Sequence, residues 1–137
     1  MATSDILEGV KLLNNPPRDP RRLKAWVVYL LLSMIPPGRV VTYSLLARLA
    51  NTSPRAVGSL MRANKYPILI PCHRVVSASG DIHGFSLGGP KVKEKLLRIE
   101  GVKVENDRVP KRYIITSVDD FWRILEENGY TLQVDIA

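Results

Sequence analysis

Two places in the chain pair a helix-capping residue with an immediately following proline: Asp19-Pro20 and Ser53-Pro54. An Asp or Ser side chain accepts hydrogen bonds from the free N–H groups of a first helical turn, and proline at the first helical position loses no hydrogen bond there. Each pair therefore predicts the start of a helix. The first helix should run to about Met34, before Pro36-Pro37-Gly38 stops it, and the second to about Ala63.

A further short helix is predicted between these two. Thr42 caps a helix over residues 43–50, and the preceding residues 40–41 favour a short strand. Residues 51–53 then form a tight connection to the helix that begins at Pro54. Two short helices joined in this way are typical of a helix-turn-helix, although many helical hairpins without DNA-binding function share the pattern.

The segment after Gly101 has a different pattern. Gly101 ends a helix predicted over residues 92–100, and residues 113–116 are strand-like. Ser117 then caps another helix, and residues 130–136 alternate apolar and polar as a strand does. The predicted fold class is mainly α with small β elements: a winged helix-turn-helix-like domain over residues 1–103, opening with a short helix, and a β-α-β appendage over residues 104–137 packed on it.

The most informative feature of the composition is where the charged residues lie along the chain. The 137-residue chain has a net charge of +7, and no acidic residue falls between Asp19 and Asp81. A solvated basic face would explain this stretch, but so many cations without anions favour a surface that meets a polyanion such as nucleic acid. The cations in the stretch are Arg21, Arg22, Lys24, Arg39, Arg48, Arg55, Arg62, Lys65 and Arg74.

Several classes of protein are disfavoured by the same residues. The longest apolar run, residues 25–35, is too short to cross a bilayer, which needs about 20 residues. The N-terminal residues do not resemble a secretory signal. A single cysteine excludes an intramolecular disulfide, and with two histidines it leaves little for a structural zinc site. We expect a reducing setting, the cytoplasm or, in a eukaryote, the nucleus.

The single cysteine stands in the segment Ile70-Pro71-Cys72-His73-Arg74. Pro71 is predicted to close a strand, which would place Cys72 at a turn. A lone cysteine is most often a buried, inert side chain. Here the neighbouring His73 and Arg74 supply a base and a cation, which we expect to lower the pKa of the thiol and make it a nucleophile. A Cys-His hydrolase would also need an oxyanion hole and an acyl substrate.

Four segments in sequence order carry a resemblance to a known family: residues 37–43 (PGRVVTY), 55–64 (RAVGSLMRAN), 67–75 (PILIPCHRV) and 93–101 (KEKLLRIEG). Together they resemble the active-site domain of the O6-alkylguanine-DNA alkyltransferases, over about residues 24–103. The Pro-Cys-His-Arg motif in this setting is highly specific. The resemblance implies repair of DNA by irreversible, stoichiometric transfer of an alkyl group from guanine O6 to a cysteine, with no metal or organic cofactor.

The resemblance also implies the catalytic residues. Cys72 is the alkyl acceptor, linked through a water to His73, which is in turn held by Glu100. Asn64 holds the turn that bears the cysteine. Tyr43 helps rotate the target nucleotide out of the duplex, which is required because its O6 substituent cannot be reached in the stack, and hydrogen-bonds the guanine.

The implied DNA contacts lie on the second helix of the helix-turn-helix. Arg55 fills the space left by the flipped base, and the small residues Gly58 and Ser59 let the helix backbone approach the duplex. Arg62 and Arg74 complete the predicted DNA-binding set, and Arg74 is also expected to buttress the cysteine turn. The expected partner is double-stranded DNA containing alkylated guanine, bound by a monomer from the minor groove with little sequence preference.

The substrate pocket is expected to include Val75, Phe85 and Ser86. The carbonyls of Cys72 and Val75 would accept hydrogen bonds from the guanine amine, and the Ser86 amide would lie near O6. Phe85 stands where the family usually has a tyrosine, and the following loop is one residue longer than usual. These departures affect the expected pocket size and alkyl preference.

A larger departure concerns the ends of the chain. The family usually carries an N-terminal α/β domain, which the residues before the first long helix do not supply, and we expect the 104–137 appendage to cover apolar surface in its place. Two other functions compete with repair: a non-catalytic sensor of alkylated DNA, which Cys72 disfavours because such proteins replace the cysteine, and a helix-turn-helix regulator, for which Gly58 and Ser59 are poor base-reading side chains.

Overall fold

The structure is a computed structural model that describes residues 11–83 and 89–129. This part of the chain contains helices and three short strands joined by turns and loops. The elements, in chain order, are α1 (Pro20–Ser33), β1 (Val40–Thr42), α2 (Tyr43–Leu49), α3 (Pro54–Ala63), β2 (Val75–Val76), α4 (Gly89–Ile99), β3 (Ile114–Ile115) and α5 (Val118–Glu127), with single 3₁₀ turns at Cys72–Arg74 and Lys111–Tyr113. Residues 11–14 are also helical; the rest of the helix predicted at the start of the chain lies outside the described residues.

The capping residues predicted from sequence are confirmed. The Asp19 carboxylate accepts the Arg21 N–H at 3.0 Å, the Thr42 hydroxyl accepts the Leu45 N–H at 3.1 Å, and the Ser53 hydroxyl accepts the Ala56 N–H at 3.1 Å. Ser117 caps α5 in the same way. Local side-chain chemistry therefore fixes where each of these helices begins.

The three strands form one parallel sheet in the order β2-β1-β3. Val41 of β1 stands opposite Val75 on one side and Ile115 on the other. The strand predicted around residues 113–116 therefore joins the strand that leads into the helix-turn-helix. The second strand predicted for the tail, at 130–136, lies outside the described residues.

One sequence expectation about the cysteine segment is wrong. In the described structure no strand ends at Pro71; residues 66–70 instead form a turn closed by the Ile70 N–H, which donates to the Tyr66 carbonyl at 2.9 Å. The run is bounded by prolines and is too short to pair along its length. Cys72 still lies at a turn, as the first residue of the 3₁₀ segment.

Helix α5 packs into the same apolar core as α1. Phe121, Ile124 and Leu125 are buried in one cluster with Val28 and Leu32. Helix α5 thus covers apolar surface of α1, whereas the predicted appendage over residues 104–137 and its boundary stay a prediction. None of the helices in the described ranges is long and apolar enough to cross a membrane.

Replacing Phe121 with alanine should lower the free energy of unfolding by about 3–5 kcal/mol, because a fully buried aromatic ring leaves a cavity that the core cannot refill. Urea denaturation measures this loss. The control is Arg123→Ala on the exposed side of the same helix, where the ion pairs to Asp120 and Glu127 are solvated. Equal effects of the two substitutions would contradict the packing of α5.

Candidate active site

Asn64, the C-cap residue of α3, holds the cysteine turn in place. Its side-chain amide donates to the Ile70 carbonyl at 2.8 Å, and its oxygen accepts the Tyr66 N–H at 2.9 Å. The Ile70 carbonyl also accepts the Cys72 N–H at 2.8 Å. One buried amide therefore ties both sides of the 66–70 turn together next to Cys72, whereas the catalytic role that the resemblance implies for Asn64 stays a prediction.

Glu100 joins the cysteine turn to the end of α4. Its carboxylate receives Arg74 through two hydrogen bonds, at 2.9 and 2.5 Å, and lies 3.0 Å from His73 Nε2. Partial burial alone would raise the pKa of this carboxyl, but the hydrogen bonds from Arg74 and His73 outweigh it and lower the pKa to about 2. Glu100 is therefore ionised at any physiological pH.

An ionised Glu100 determines which nitrogen of His73 carries the proton. A carboxylate can only accept hydrogen bonds, so Nε2 must be the donor to it. In the neutral ring the other nitrogen, Nδ1, is then an acceptor, on the residue next to Cys72. The arrangement supplies a base with a fixed tautomer, the same logic by which an acid orients a histidine in other nucleophilic sites.

The expectation that the pKa of the Cys72 thiol lies below its usual value is wrong, because burial outweighs the groups that lower it. The side chain is 4% exposed, and this burial raises the pKa of the thiol above its usual value. A hydrogen bond from Asn64 and the positive charge of Lys93 offset the effect only in part. Arg74 does not help, because its guanidinium is committed to Glu100 and, through Nη1 at 2.6 Å, to the Ile35 carbonyl.

Lys93 is the functional candidate that the sequence analysis missed. It is 1% exposed, and its ammonium donates to the Val75 carbonyl at 2.5 Å. Burial lowers its pKa to about 8, while the nearby Cys72 and Asp81 oppose that shift. Helical periodicity places residues 93, 97 and 100 on the same face of α4, and Leu97 on that face is buried. This spacing is the signal in the sequence that could have identified Lys93.

A cavity of about 420 Å³ opens between the helix-turn-helix and the loop after β2. Its walls include Tyr43, Arg55, Gly58, Arg62, Ser77 and Ala78. Burial and the charge on Cys72 raise the pKa of Tyr43, while Arg62 acts in the opposite direction. Tyr43 is thus close enough to both Cys72 and Arg62 for their charges to affect its pKa.

The outward face of α3 carries the predicted DNA contacts. Arg55, Ser59 and Arg62 are exposed, and Arg62 donates to the Ser59 hydroxyl at 3.2 Å. A methyl group added at Gly58 would come no closer than 3.6 Å to any neighbour, so the fold does not require glycine there. Arg74, by contrast, is buried and all three of its guanidinium nitrogens donate to Glu100 or Ile35, which argues against the predicted DNA contact by this residue.

The predicted pocket residues are only partly described. The Val75 carbonyl receives Lys93, and the Cys72 carbonyl accepts the Val75 N–H; each can still accept a second hydrogen bond, as predicted for the guanine amine. Phe85 and Ser86 lie outside the described residues. Within residues 11–83 and 89–129, no group of three or more His, Cys, Asp or Glu side chains could hold a metal ion.

Comparison with known proteins assigns the family. A family model described as 6-O-methylguanine DNA methyltransferase, DNA binding domain, matches residues 25–102. The chain belongs to this methyltransferase family. Two relatives named methylated-DNA–protein-cysteine methyltransferase illustrate the similarity. The Thermococcus kodakarensis protein is 54% identical over 66 residues, covering 48% of this chain and 37% of the relative. The Pyrobaculum aerophilum protein is 45% identical over 96 residues, covering 70% and 60%.

Solved structures support the methyltransferase fold. The Mycobacterium tuberculosis OGT in complex with DNA is 35% identical, has a TM-score of 0.53, and is matched over 56% of this chain and 48% of that one. Atl1 of S. pombe, solved with damaged DNA containing O6-carboxymethylguanine, has a TM-score of 0.60 over 69% of this chain and 95% of that one. At 24% identity the second likeness concerns the fold alone. The chain thus shares the methyltransferase DNA-binding domain but spans 37–60% of the length of the two relatives above.

Substitutions at Gly58 should separate DNA binding from folding. Gly58→Ala is expected to stabilise the protein by about 0.5–1 kcal/mol, because alanine is the better helix former. Gly58→Leu should leave the protein folded but weaken binding to duplex DNA by about tenfold, roughly 1.4 kcal/mol, since its side chain would hold the backbone away from the DNA. Thermal melts and fluorescence anisotropy measure the two effects. Undiminished DNA binding by the leucine variant would exclude α3 from the interface.

The low pKa of Glu100 predicts a pH-dependent contribution to stability. Because its folded-state pKa of about 2 is below the ordinary glutamate value of 4.5, its stabilisation is present above pH 4.5 and is lost as the pH falls toward 2. Glu100→Gln should cost about 3 kcal/mol near neutral pH, since buried Arg74 loses its charge partner. Urea titrations at several pH values test this. A difference between variant and wild type that does not shrink in acid would contradict the assignment.

Proposed function

We propose that this protein repairs O6-alkylguanine in double-stranded DNA by transferring the alkyl group irreversibly to Cys72. The observation that carries the proposal is the contact of His73 Nε2 with Glu100 at 3.0 Å, which orients a base beside the single cysteine of the chain. Family membership supports the same function, because the relatives that the chain matches are named methylated-DNA–protein-cysteine methyltransferase.

Binding begins with the basic face of α3. Arg55 and Arg62 are exposed and are available to phosphates, and Ser59 and Gly58 allow a close approach of the helix. A protein that must inspect every guanine cannot depend on base-specific contacts, so backbone contacts and an inserted arginine suit the task. The partner is therefore duplex DNA of any sequence that contains an alkylated guanine, bound by a monomer in the compartment that holds the DNA.

The cavity beside Tyr43 receives the damaged base. A guanine inside the stack keeps its O6 substituent out of reach of a buried thiol, so the nucleotide must leave the duplex. Arg55 lies at the rim of the cavity, where it can fill the space that the base vacates. Tyr43 lines the cavity near Cys72 and can stack on or hydrogen-bond the base.

The chemical step is a displacement at the alkyl carbon. The thiol loses its proton toward His73, the new sulfur–carbon bond forms, and the carbon–O6 bond breaks with its electrons passing to the guanine, which regains a proton. Glu100 stabilises the positive charge that develops on the imidazole ring. Because burial raises the pKa of Cys72, a thiolate is scarce in the free protein, and the base and the Lys93 ammonium are needed to form it.

Intact-protein mass spectrometry tests the proposal. The protein is mixed with excess duplex carrying one O6-methylguanine, with Cys72→Ser as the matched control. We expect one methyl group on the wild type, none on the variant, and unmodified guanine restored in the DNA.

The alternatives give different results. Tight, selective binding of the lesion without a mass change would indicate a sensor of alkylated DNA. Neither a mass change nor a preference for the lesion would leave a plain helix-turn-helix DNA-binding protein. Repeated turnover of an ester or amide would indicate a hydrolase.

A further inference from the structure

The segment that follows the family match forms a tight turn. Glu105 and Arg108 exchange two hydrogen bonds, at 2.9 and 3.0 Å, around Asn106 and Asp107. Both central residues have positive φ angles, 52° and 59°, which is the geometry of a type I′ hairpin turn. The matched domain ends at residue 102, so this turn lies just beyond it.

The Glu105–Arg108 turn is bonded to the loop that follows the cysteine segment. The Ile82 N–H donates to the Asp107 carbonyl at 3.1 Å, and the Val109 N–H donates to the Gly80 carbonyl at 2.9 Å. Gly80 has a φ of 84°, and a Cβ at this position would lie 2.4 Å from the Val109 carbonyl oxygen. The two backbones are therefore in direct contact.

Apolar packing reinforces this contact. Val104 and Val109, on either side of the turn, are 3% and 2% exposed and share a core cluster with Ile82, Val76 and Leu97. Val76 belongs to β2, directly after the cysteine segment, and Leu97 belongs to α4 between Lys93 and Glu100. The turn therefore rests on elements that carry the candidate site.

The contacted loop is closed by hydrogen bonds of its own and leads to the cavity wall. The Ser77 hydroxyl accepts the Asp81 N–H at 3.0 Å, and the Ser77 carbonyl accepts the Gly80 N–H at 2.9 Å. A displacement at Gly80 is thus transmitted to Ser77, which lines the cavity beside Tyr43 together with Ala78.

We propose that the Glu105–Arg108 turn is a positioning element that sets the width of the nucleobase cavity and thereby the size of alkyl group accepted. The proposal rests on the proposed function, because it assigns the turn a part in the selection of that substrate. The turn itself touches neither the cysteine nor the cavity; it acts through Gly80 and Ser77.

Two substitutions at one position form the test. Asp107→Gly keeps the positive φ without strain, whereas Asp107→Val opposes it, since β-branched residues rarely adopt this conformation. Both variants remove the same carboxylate and the same 3.7 Å contact with His83, so charge is matched between them. Amide hydrogen exchange at Ile82 and Val109 reports directly whether the turn stays docked.

The readout is the rate of alkyl transfer from duplexes containing O6-methylguanine or O6-benzylguanine. Misplacing a catalytic wall by 1 Å can cost on the order of 100-fold, so a partial displacement in Asp107→Val should slow methyl transfer by about tenfold. A looser wall penalises the larger group less, and the benzyl-to-methyl rate ratio should rise by about threefold. Asp107→Gly should match the wild type in both rates.

Three outcomes decide the matter. Loss of amide protection in Asp107→Val with an unchanged rate ratio overturns the proposal, because the turn would then be purely structural. If protection persists, Gly80→Ala forces the backbones apart, and an unchanged ratio there overturns it as well. A wild type that transfers no alkyl group contradicts the proposed function instead. In that case binding tests the role of the turn: the two Asp107 variants should differ in their preference for lesion over undamaged duplex, and equal preferences overturn the proposal.

Discussion

The carboxylate of Glu100 is the interaction on which the rest of the site depends. It directly follows α4 and binds Arg74 and His73, which follow the cysteine. Arg74 in turn donates to the Ile35 carbonyl just after α1. An acid at a helix C-terminus opposes the helix dipole, so its position is unfavourable by itself. The ion pair outweighs this cost and fixes the base, the cysteine turn and two helices relative to one another.

Burial imposes the main chemical constraint on such a site. A thiol that is shielded from water is protected from adventitious oxidation and alkylation, but its negative form is disfavoured. The neighbours that counteract this are spread over the fold: Asn64 at the end of α3, His73 beside the cysteine and Lys93 on α4. The reactivity of Cys72 is therefore a property of the assembled domain, and not of the Pro-Cys-His-Arg segment alone.

Because the groups around Cys72 come from distant parts of the chain, only the local features could be predicted from the sequence. The helix starts at Pro20 and Pro54 follow from local capping chemistry, which neighbouring residues carry in full, and the structure confirms them. The direction of the Cys72 pKa shift and the role of Lys93 could not be predicted, because burial and through-space charge depend on residues far apart in the chain. Adjacency suggested that Arg74 activates the thiol, whereas the fold directs its guanidinium to Glu100. The contact of the Glu105–Arg108 turn with Gly80 is likewise tertiary, although the Asn-Asp pair is a local turn signal.

The basic face of α3 has an energetic consequence of its own. Among the ion pairs in the described ranges, none engages Arg55 or Arg62, and the partner of Arg62 is a neutral hydroxyl. No ion pair among the described residues must break before these two cations meet phosphates, so under the proposed function their contribution to affinity comes from counterions that the DNA releases into solution. Such binding weakens steeply with ionic strength and hardly distinguishes one duplex from another. Under the proposed function, such contacts let the protein move along undamaged DNA, and recognition of the alkylated base depends on the cavity beside Tyr43.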